Sequence, residues 1–227
     1  HLKWDDRTAI LSGDAMLTLA GILVRRDCRP QQAVAASDLL DRTAMEVYEG
    51  QQYDMDFESR TDVTVDEYLE MIRLKTSVLL GCACRMGALM ANAPEADAKA
   101  MYDYGVLLGL AFQLQDDWLD TYGDPIVFGK EIGGDIINDK KTWLLITALQ
   151  EDTEGVLQRE MTAPSAPDEK ISRVKEVYDR LGLSRRCHEL VDLYVGRAIA
   201  ALDKAGITPA ARDFFTAIAE KSRTRTH

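Results

Sequence analysis

The helical character of this chain is clearest in Phe112-Gln113-Leu114-Gln115-Asp116-Asp117-Trp118-Leu119-Asp120, which ends an apolar run that begins at Val106. At helical spacing Asp116 and Asp120 lie on one face, and Asp117 lies beside them. Gln113 lies one turn earlier on the same side. The stretch therefore predicts an apolar helix whose last turns carry three neighbouring carboxylates.

These carboxylates need something that offsets their mutual repulsion. Two negative charges roughly 6 Å apart at an effective dielectric constant of about 20 repel by about 3 kcal/mol. A partly buried cluster therefore needs protonation, a cationic partner or a metal ion. Mg²⁺ is the obvious choice, because it is usually shared between one or two carboxylates and substrate phosphates. For the trio alone, a solvated acidic helix face is the competing interpretation.

The segment after the trio alternates acidic, glycine and lysine residues. Glycines let a backbone approach a ligand closely, and lysine ammonium groups can reach phosphate oxygens. This combination predicts a phosphate-binding loop, whereas an ordinary surface loop with solubilising lysines is the alternative. The residues concerned are Gly123-Asp124-Pro125, Gly129-Lys130, Gly133-Gly134-Asp135 and Asp139-Lys140-Lys141-Thr142.

Two upstream segments add candidate ligands. Lys75 and Thr76 interrupt an apolar helix, so this lysine either extends its ammonium group to solvent or meets an anion. Gln51 and Asp54 lie near the predicted end of another helix, where a polar helix terminus is the simpler explanation. With the acidic trio and the glycine-lysine loop, Lys75 becomes a candidate phosphate ligand.

Hydrophobic periodicity is helical almost throughout, and signals for β-strands are scarce. We therefore predict an all-α fold formed by one domain over residues 1–227, with a loop at Thr162–Pro167. Small residues such as Gly81, Gly105 and Gly109 predict close helix packing. The predicted helices are Ala9–Val24, Ala33–Tyr53, Val65–Met90, Ala96–Asp120, Lys141–Gln150, Ile171–Leu181, Leu183–Leu202 and Pro209–Glu220.

Composition argues against several classes of partner. The formal net charge of −11 argues against nucleic acid as a partner, because polyanions require clustered lysine and arginine. The four cysteines lack the spacing of a zinc site and fit reduced thiols in the cytoplasm. No segment reaches the roughly twenty uninterrupted apolar residues of a membrane span. We therefore expect neither nucleic acid nor a membrane span.

Taken together, these motifs resemble those of the trans-isoprenyl diphosphate synthases, or polyprenyl synthetases. The resemblance spans most of the chain. It rests on Ala9-Ile10-Leu11-Ser12-Gly13-Asp14-Ala15, Glu49-Gly50-Gln51 with Asp54, Lys75-Thr76, Phe112-Gln113 before the acidic trio, and Gly129-Lys130 with Asp135 and Lys140. It implies a helical bundle of the isoprenoid synthase type around a deep central cavity. There, two aspartate-rich motifs hold three Mg²⁺ ions on an allylic diphosphate.

The resemblance also implies a reaction and a role for each candidate residue. Isopentenyl diphosphate would condense with an allylic diphosphate to give a short polyprenyl diphosphate, farnesyl or geranylgeranyl. The trio resembles the second motif, so Asp116, Asp117 and Asp120 would bind metal, Asp117 through water. The other implied residues contact the substrates: Lys75, Lys130 and Lys140 would hold the pyrophosphate, Thr76 and Gln113 would lie near the nascent cation, Phe112 would line the cavity, and Asp54 and Gln51 would complete the site.

One departure from the family pattern concerns the start of the chain. The first aspartate-rich motif is expected upstream of a histidine resembling His1, so we expect that part of the protein to precede His1.

Three alternatives to the prenyltransferase function stay open: a regulatory subunit without activity, a terpene cyclase of the same fold, and an acidic helical scaffold without a ligand. The family resemblance also implies a homodimer, in which apolar helical faces such as Val78 to Leu89 could pair across a two-fold axis.

Overall fold

The computed structural model describes residues 3–26, 28–124 and 132–223. Within these ranges the chain is helical and contains no strand, which confirms the all-α fold. The helices are α1 (Asp6–Arg25), α2 (Pro30–Ser59), α3 (Val65–Ile72), α4 (Val78–Met90), α5 (Glu95–Tyr122), α6 (Gly134–Ile137), α7 (Trp143–Glu151), α8 (Val156–Thr162), α9 (Pro167–Arg180), α10 (Leu183–Leu202) and α11 (Pro209–Arg223).

The helix boundaries follow local sequence signals. α3 begins with a capping box, in which Thr64 accepts from the backbone N–H of Glu67 and Glu67 accepts from that of Thr64. Gly182 has φ of +64° and separates α9 from α10, as its position in the sequence predicts. The predicted loop at 162–167 is also confirmed, because α8 ends at Thr162 and α9 begins at Pro167.

Two predictions of the helix pattern were wrong. The helix predicted over Val65–Met90 is interrupted by a π-helical segment, Arg73–Ser77, which we call the π segment. Periodicity could not show this interruption, because one extra residue in a turn leaves the apolar pattern almost intact. α8 was not predicted, since its seven residues are too few to establish a period.

α5 is the central helix, and it packs between α4 on one side and α10 on the other. Glycines allow the close approach of α4, since a Cβ atom on Gly105 would lie 2.7 Å from Gly81 Cα. A Cβ atom on Gly109 would likewise lie 2.5 Å from Ser77 Cα, at the end of the π segment. The core of mainly apolar side chains extends from α2 to α11 and includes Tyr68, Leu114 and Leu183.

α1 differs from the other long helices, because none of its side chains is buried. Several large apolar residues of α1 are at least 47% exposed, among them Ile10, Met16 and Leu17. α1 is the one described helix that could cross a membrane by length and composition. Asp14 lies in its middle, however, where a carboxylate is costly in a bilayer.

Candidate diphosphate and metal site

The last turns of α5 place the acidic trio in two environments. Asp116 and Asp120 are half-buried on one helical face, whereas Asp117 is only 2% exposed. The Tyr68 hydroxyl donates to Oδ2 of Asp117, and Nε2 of Gln113 donates to Oδ1 at 3.2 Å. The helix therefore presents Asp116 and Asp120 outward and turns Asp117 into the protein.

Burial dominates the electrostatics of Asp117. It raises the pKa of this carboxyl to about 7, and the nearby Asp135 adds to the rise. The positive charge of Lys140 and the hydrogen bonds from Tyr68 and Gln113 oppose it. A bound cation near this carboxyl would favour its ionised form, since an opposite charge lowers the pKa of an acid.

Asp135 brings a further carboxylate to the end of α5. Gly133 has φ of +86°, and its N–H donates to the carbonyl of Asp120 at 2.6 Å. This turn brings the N–H of Asp135 within 2.9 Å of Asp120 Oδ2. Burial raises the pKa of Asp135. The glycine therefore connects the loop to the acidic trio, as a ligand-binding loop requires.

Lys140 lies between these carboxylates. Its Nζ is 3.2 Å from Asp135 Oδ1 and 3.9 Å from Asp117 Oδ1. Although burial opposes its charge, Asp117 and Asp135 raise the pKa of Lys140, so it stays protonated. This ammonium group is therefore a positive charge that Asp117 and Asp135 share.

The π segment supplies the second basic residue. Lys75 Nζ donates to Asp54 Oδ2 at 2.6 Å, and Thr76 Oγ1 donates to Gln113 Oε1 at 3.3 Å. The backbone is held closely, because a Cβ atom on Gly50 would lie 2.3 Å from the backbone N of Lys75. Close packing of α2 and α5 against the π segment therefore fixes the position of Lys75 beside Asp54 and of Thr76 beside Gln113.

A pocket of about 530 Å³ opens next to these groups, between the end of α2 and the segment that follows α6. It is lined by residues of both charges: Asp54, Phe57, Glu58, Asp135, Asn138, Asp139, Lys140 and Lys141. Lysines and carboxylates on facing walls can bind a ligand that carries both phosphate and a cation. The pocket is therefore of a size and polarity that suit a metal-bound diphosphate.

The structure brings most of the predicted site residues together, with three exceptions. Gln51 is exposed on α2, one turn before Asp54. Phe112 is half-buried on α5, one residue before Gln113. Lys130 and its neighbour Gly129 lie outside the described residues, so their predicted role stays a prediction.

Tyr68 was missing from the predicted site. The signal was available, because Tyr68 precedes Lys75 by seven residues and would share a face with it on a continuous helix. Asp135 belongs to the family motif, but the sequence suggested no separate role for it. Spacing could therefore suggest Tyr68 as a site residue, but the contacts of Tyr68 with Asp117 and of Asp135 with Asp120 are tertiary and could not be read from it.

The donors present fit Mg²⁺ as part of a shared site. No group of three or more His, Cys, Asp or Glu side chains positioned for a metal occurs within residues 3–26, 28–124 and 132–223. Asp116 and Asp120 nevertheless provide hard oxygen donors on one helix face. Mg²⁺ commonly takes one or two carboxylates and completes its coordination with substrate phosphate and water. These residues therefore suit an ion that arrives with a diphosphate.

Comparisons with known proteins point to one family. The family described as polyprenyl synthetase matches residues 1–181. A short chain isoprenyl diphosphate synthase of Methanothermobacter thermautotrophicus is 35% identical over 83% of the chain, and 58% of that relative is covered. A geranylgeranyl diphosphate synthase of Methanosarcina mazei is 36% identical over 83% of the chain, with 64% of its own length covered. The chain thus spans less than two thirds of these two relatives.

A solved structure supports the same relationship. The crystal structure of a geranylgeranyl pyrophosphate synthase superposes on 99% of the chain with a TM-score of 0.92 and 40% sequence identity. The match covers 71% of that protein. The helical architecture is therefore shared along nearly the whole chain, including the helices that carry the acidic trio and the π segment.

Proposed function

The chain belongs to the polyprenyl synthetase family, and from this we propose that it is a Mg²⁺-dependent prenyltransferase. Its substrates would be isopentenyl diphosphate and an allylic diphosphate. The observation that supports this best is the convergence of Lys75, Thr76 and Gln113 with the acidic end of α5. One wall of the site thus offers cations for phosphate, and the adjoining wall offers oxygens for a carbocation.

In the proposed reaction, the allylic C–O bond breaks and pyrophosphate leaves with the bonding electrons. The double bond of isopentenyl diphosphate then attacks the allylic cation, and loss of a proton restores an alkene. Lys75 and Lys140 would bind the departing pyrophosphate and stabilise its growing charge. On binding, the phosphate would replace Asp54 and Asp135 as the partners of these lysines. Lys130 would add a third contact.

Asp116 and Asp120 would hold Mg²⁺ together with the substrate phosphates. When bound, the metal supplies Lewis-acid stabilisation of the leaving group. Three ions would complete the site, as the family resemblance implies. Asp117 is less suited to direct coordination, because it is buried and both of its oxygens accept hydrogen bonds from protein groups. We therefore assign it an indirect role.

Thr76 and Gln113 would lie beside the allylic cation. Their side chains already meet, with Thr76 Oγ1 donating to Gln113 Oε1. Oxygen dipoles that are fixed before the reaction stabilise a developing positive charge without reorganisation. Phe112 would form part of the apolar wall that keeps water from quenching the cation. Gln51 would lie at the entrance, near Asp54.

The proposed activity is tested with the metal and both substrates. We expect pyrophosphate release only when isopentenyl diphosphate, an allylic diphosphate and Mg²⁺ are present together. Replacing Asp116 by Ala should lower kcat about a hundredfold or more, because a metal ligand is lost. Asp103→Ala is the matched control, since Asp103 lies on the same helix but pairs with Lys99 at the surface. Equal rates for Asp116→Ala and the wild type would contradict the metal assignment.

Two further proposals concern the chain length of the product and the cellular compartment of the protein. We propose a short product, farnesyl or geranylgeranyl diphosphate, and chromatography of the product would identify its length. A cytoplasmic location suits the four cysteines, none of which forms a disulfide. Fractionation of cells that express the protein would test this location.

A homodimer is the proposed assembly. The apolar residues exposed on α1 provide a surface that a second copy could cover. The face predicted on α4 is only partly available, since Leu79 is 50% exposed but Val78 and Cys82 are buried. A two-fold contact would bury the same apolar surface of both subunits.

A further inference from the structure

A buried tyrosine adjoins the residues proposed to meet the carbocation. Tyr68 on α3 is 1% exposed, and its hydroxyl donates to Oδ2 of Asp117. Asp117 is itself only 2% exposed. A buried hydroxyl and a buried carboxylate both require hydrogen-bond partners, and here each satisfies the other. The proposed reaction assigns no role to this pair.

The pair connects to the cation-facing residues through Gln113. Oδ1 of Asp117 accepts from Gln113 Nε2 at 3.2 Å. In its ionised form, which a bound cation favours, Asp117 can only accept, so it requires Gln113 to turn its NH₂ group toward it. The amide oxygen must then point the other way, where Oε1 accepts from Thr76 at 3.3 Å. Asp117 therefore sets which end of the Gln113 amide faces Thr76.

We propose that Tyr68 is a positioning residue, whose hydroxyl holds Asp117 so that Gln113 presents its oxygen, and not its NH₂ group, to the allylic cation. This inference rests on the proposed prenyltransferase function. The amide orientation matters because an oxygen dipole stabilises a positive charge, whereas an N–H dipole directed at the same point destabilises it.

A competing partner for Asp117 lies nearby. Lys140 Nζ lies 3.9 Å from Asp117 Oδ1, too far for a direct hydrogen bond but close enough to attract the carboxylate. Without the Tyr68 hydroxyl, Asp117 Oδ2 is a buried acceptor that lacks this donor, and rotation toward Lys140 would satisfy it. That rotation would release Gln113. The Tyr68 hydroxyl thus opposes the attraction of Lys140.

The test compares two buried tyrosines that each lose one hydroxyl. Tyr68→Phe should lower kcat by about ten- to a hundredfold, the usual effect of removing a supporting hydrogen bond around an active site. KM for the allylic diphosphate should change little, because Lys75 and Lys140 are intact. Tyr104→Phe is the control, since Tyr104 is also 1% exposed and its hydroxyl donates to the Phe215 carbonyl. It should lower thermal stability similarly and leave kcat unchanged.

Two further measurements separate positioning from a loss of structure. In a Gln113→Leu background, adding Tyr68→Phe should cost less than about twofold in kcat, because residues that act through one group are not additive. In calorimetry, Tyr68→Phe should bind inorganic pyrophosphate with Mg²⁺ as the wild type does. It should bind an allylic tertiary ammonium ion, added with pyrophosphate as a mimic of the cation, more weakly.

The outcomes distinguish this inference from the proposed function. An active wild type in which Tyr68→Phe and Tyr104→Phe behave alike would overturn the role of Tyr68 and leave the prenyltransferase intact. Full additivity of Tyr68→Phe with Gln113→Leu would also overturn it. A full-length wild type that releases no pyrophosphate from both substrates with Mg²⁺ would overturn the proposed function and this inference together.

Discussion

Asp116 and Asp117 are neighbours in the chain but lie in different surroundings. Asp116 is half-buried on the outward face of α5, whereas Asp117 is buried against α3. One carboxylate can therefore meet a cation from solvent, while the other is already used within the protein. A single residue step around the helix separates these two roles, because it rotates a side chain by about 100°.

His188 of α10 provides a titratable group that packs against α5. Its ring lies 4.3 Å from that of Trp118, measured between centroids. Burial lowers the pKa of His188 below its ordinary value of 6.5, and Asp192 partly opposes this shift. The folded protein therefore favours neutral His188 more than the unfolded chain does.

We predict that this histidine makes the free energy of unfolding fall in mildly acidic solution. Its contribution is fully present above pH 6.5 and is lost as the pH falls through the folded-state pKa, since the unfolded state then binds more protons. Denaturant unfolding at about pH 7.5 and about pH 5.5, on either side of the ordinary histidine pKa, would measure the difference for the wild type and for His188→Gln. A pH dependence that is identical in the two proteins would refute the assignment.

At the scale of elements, the π segment is the feature that organises the site. It interrupts an otherwise continuous helix at the two residues, Lys75 and Thr76, that are proposed to bind substrate. Gly50 of α2 and Gly109 of α5 contact it from either side. π-helical turns are frequent at functional sites, since they redirect side chains that a regular helix would place elsewhere.

Glycine substitutions test this packing. A methyl group at Gly50 would meet the backbone of Lys75 and Leu74 at 2.3–2.7 Å, so α2 or the π segment must shift. We expect Gly50→Ala to destabilise the fold by about 1–3 kcal/mol, as overpacking does, and to lower kcat by displacing Lys75. Thermal or denaturant unfolding and steady-state kinetics would measure both effects.

Gly87→Ala is the matched control for this prediction. Gly87 lies within α4, and a Cβ atom added to it would have no neighbouring atom within 4 Å. Alanine should therefore stabilise the helix by about 0.5–1 kcal/mol, because it restricts the unfolded chain. If Gly50→Ala were as stable and active as Gly87→Ala, the tight contact at the π segment would be unimportant.

At the scale of the whole molecule, charge and apolar surface determine what the protein can bind. The net charge of −11 would repel a diphosphate, so the proposed substrate binding would depend on local lysines and on cations that accompany the substrate. The exposed apolar residues of α1 form a separate surface. On the proposed function, the first feature would call for a metal ion, and the second would suit the proposed homodimer.

We predict that a charge on α1 weakens the homodimer. Leu17→Glu should shift the protein toward the monomer, since Leu17 is 50% exposed on α1 and a carboxylate is costly in an apolar interface. Leu193→Glu is the control, because Leu193 is 46% exposed on α10. Size-exclusion chromatography with light scattering would measure the masses. A monomeric wild type would contradict the proposed dimer. A Leu17→Glu variant that stays dimeric would exclude Leu17 from the interface.

The helical class, the family and the residue types of the site could all be predicted from the amino-acid sequence. Apolar periodicity predicts helices because it is a local property, and the motifs around Lys75, Gln113 and Asp116 are short enough to recognise directly. The sequence also predicts the α9–α10 boundary at Gly182, whose φ of +64° suits glycine. Each of these inferences depends on residues close together in the chain.

The way those residues are used depends on tertiary packing. The π segment lies between Gly50 of α2 and Gly109 of α5, which both contact it closely. The contact of Tyr68 with Asp117 joins residues that are 49 positions apart in the chain. Asp117 is buried and Asp116 is only half-buried, and this difference depends on the helices that pack around α5. Such effects cannot be read from spacing, because the free energy of a buried charge is set by neighbours that the fold brings together.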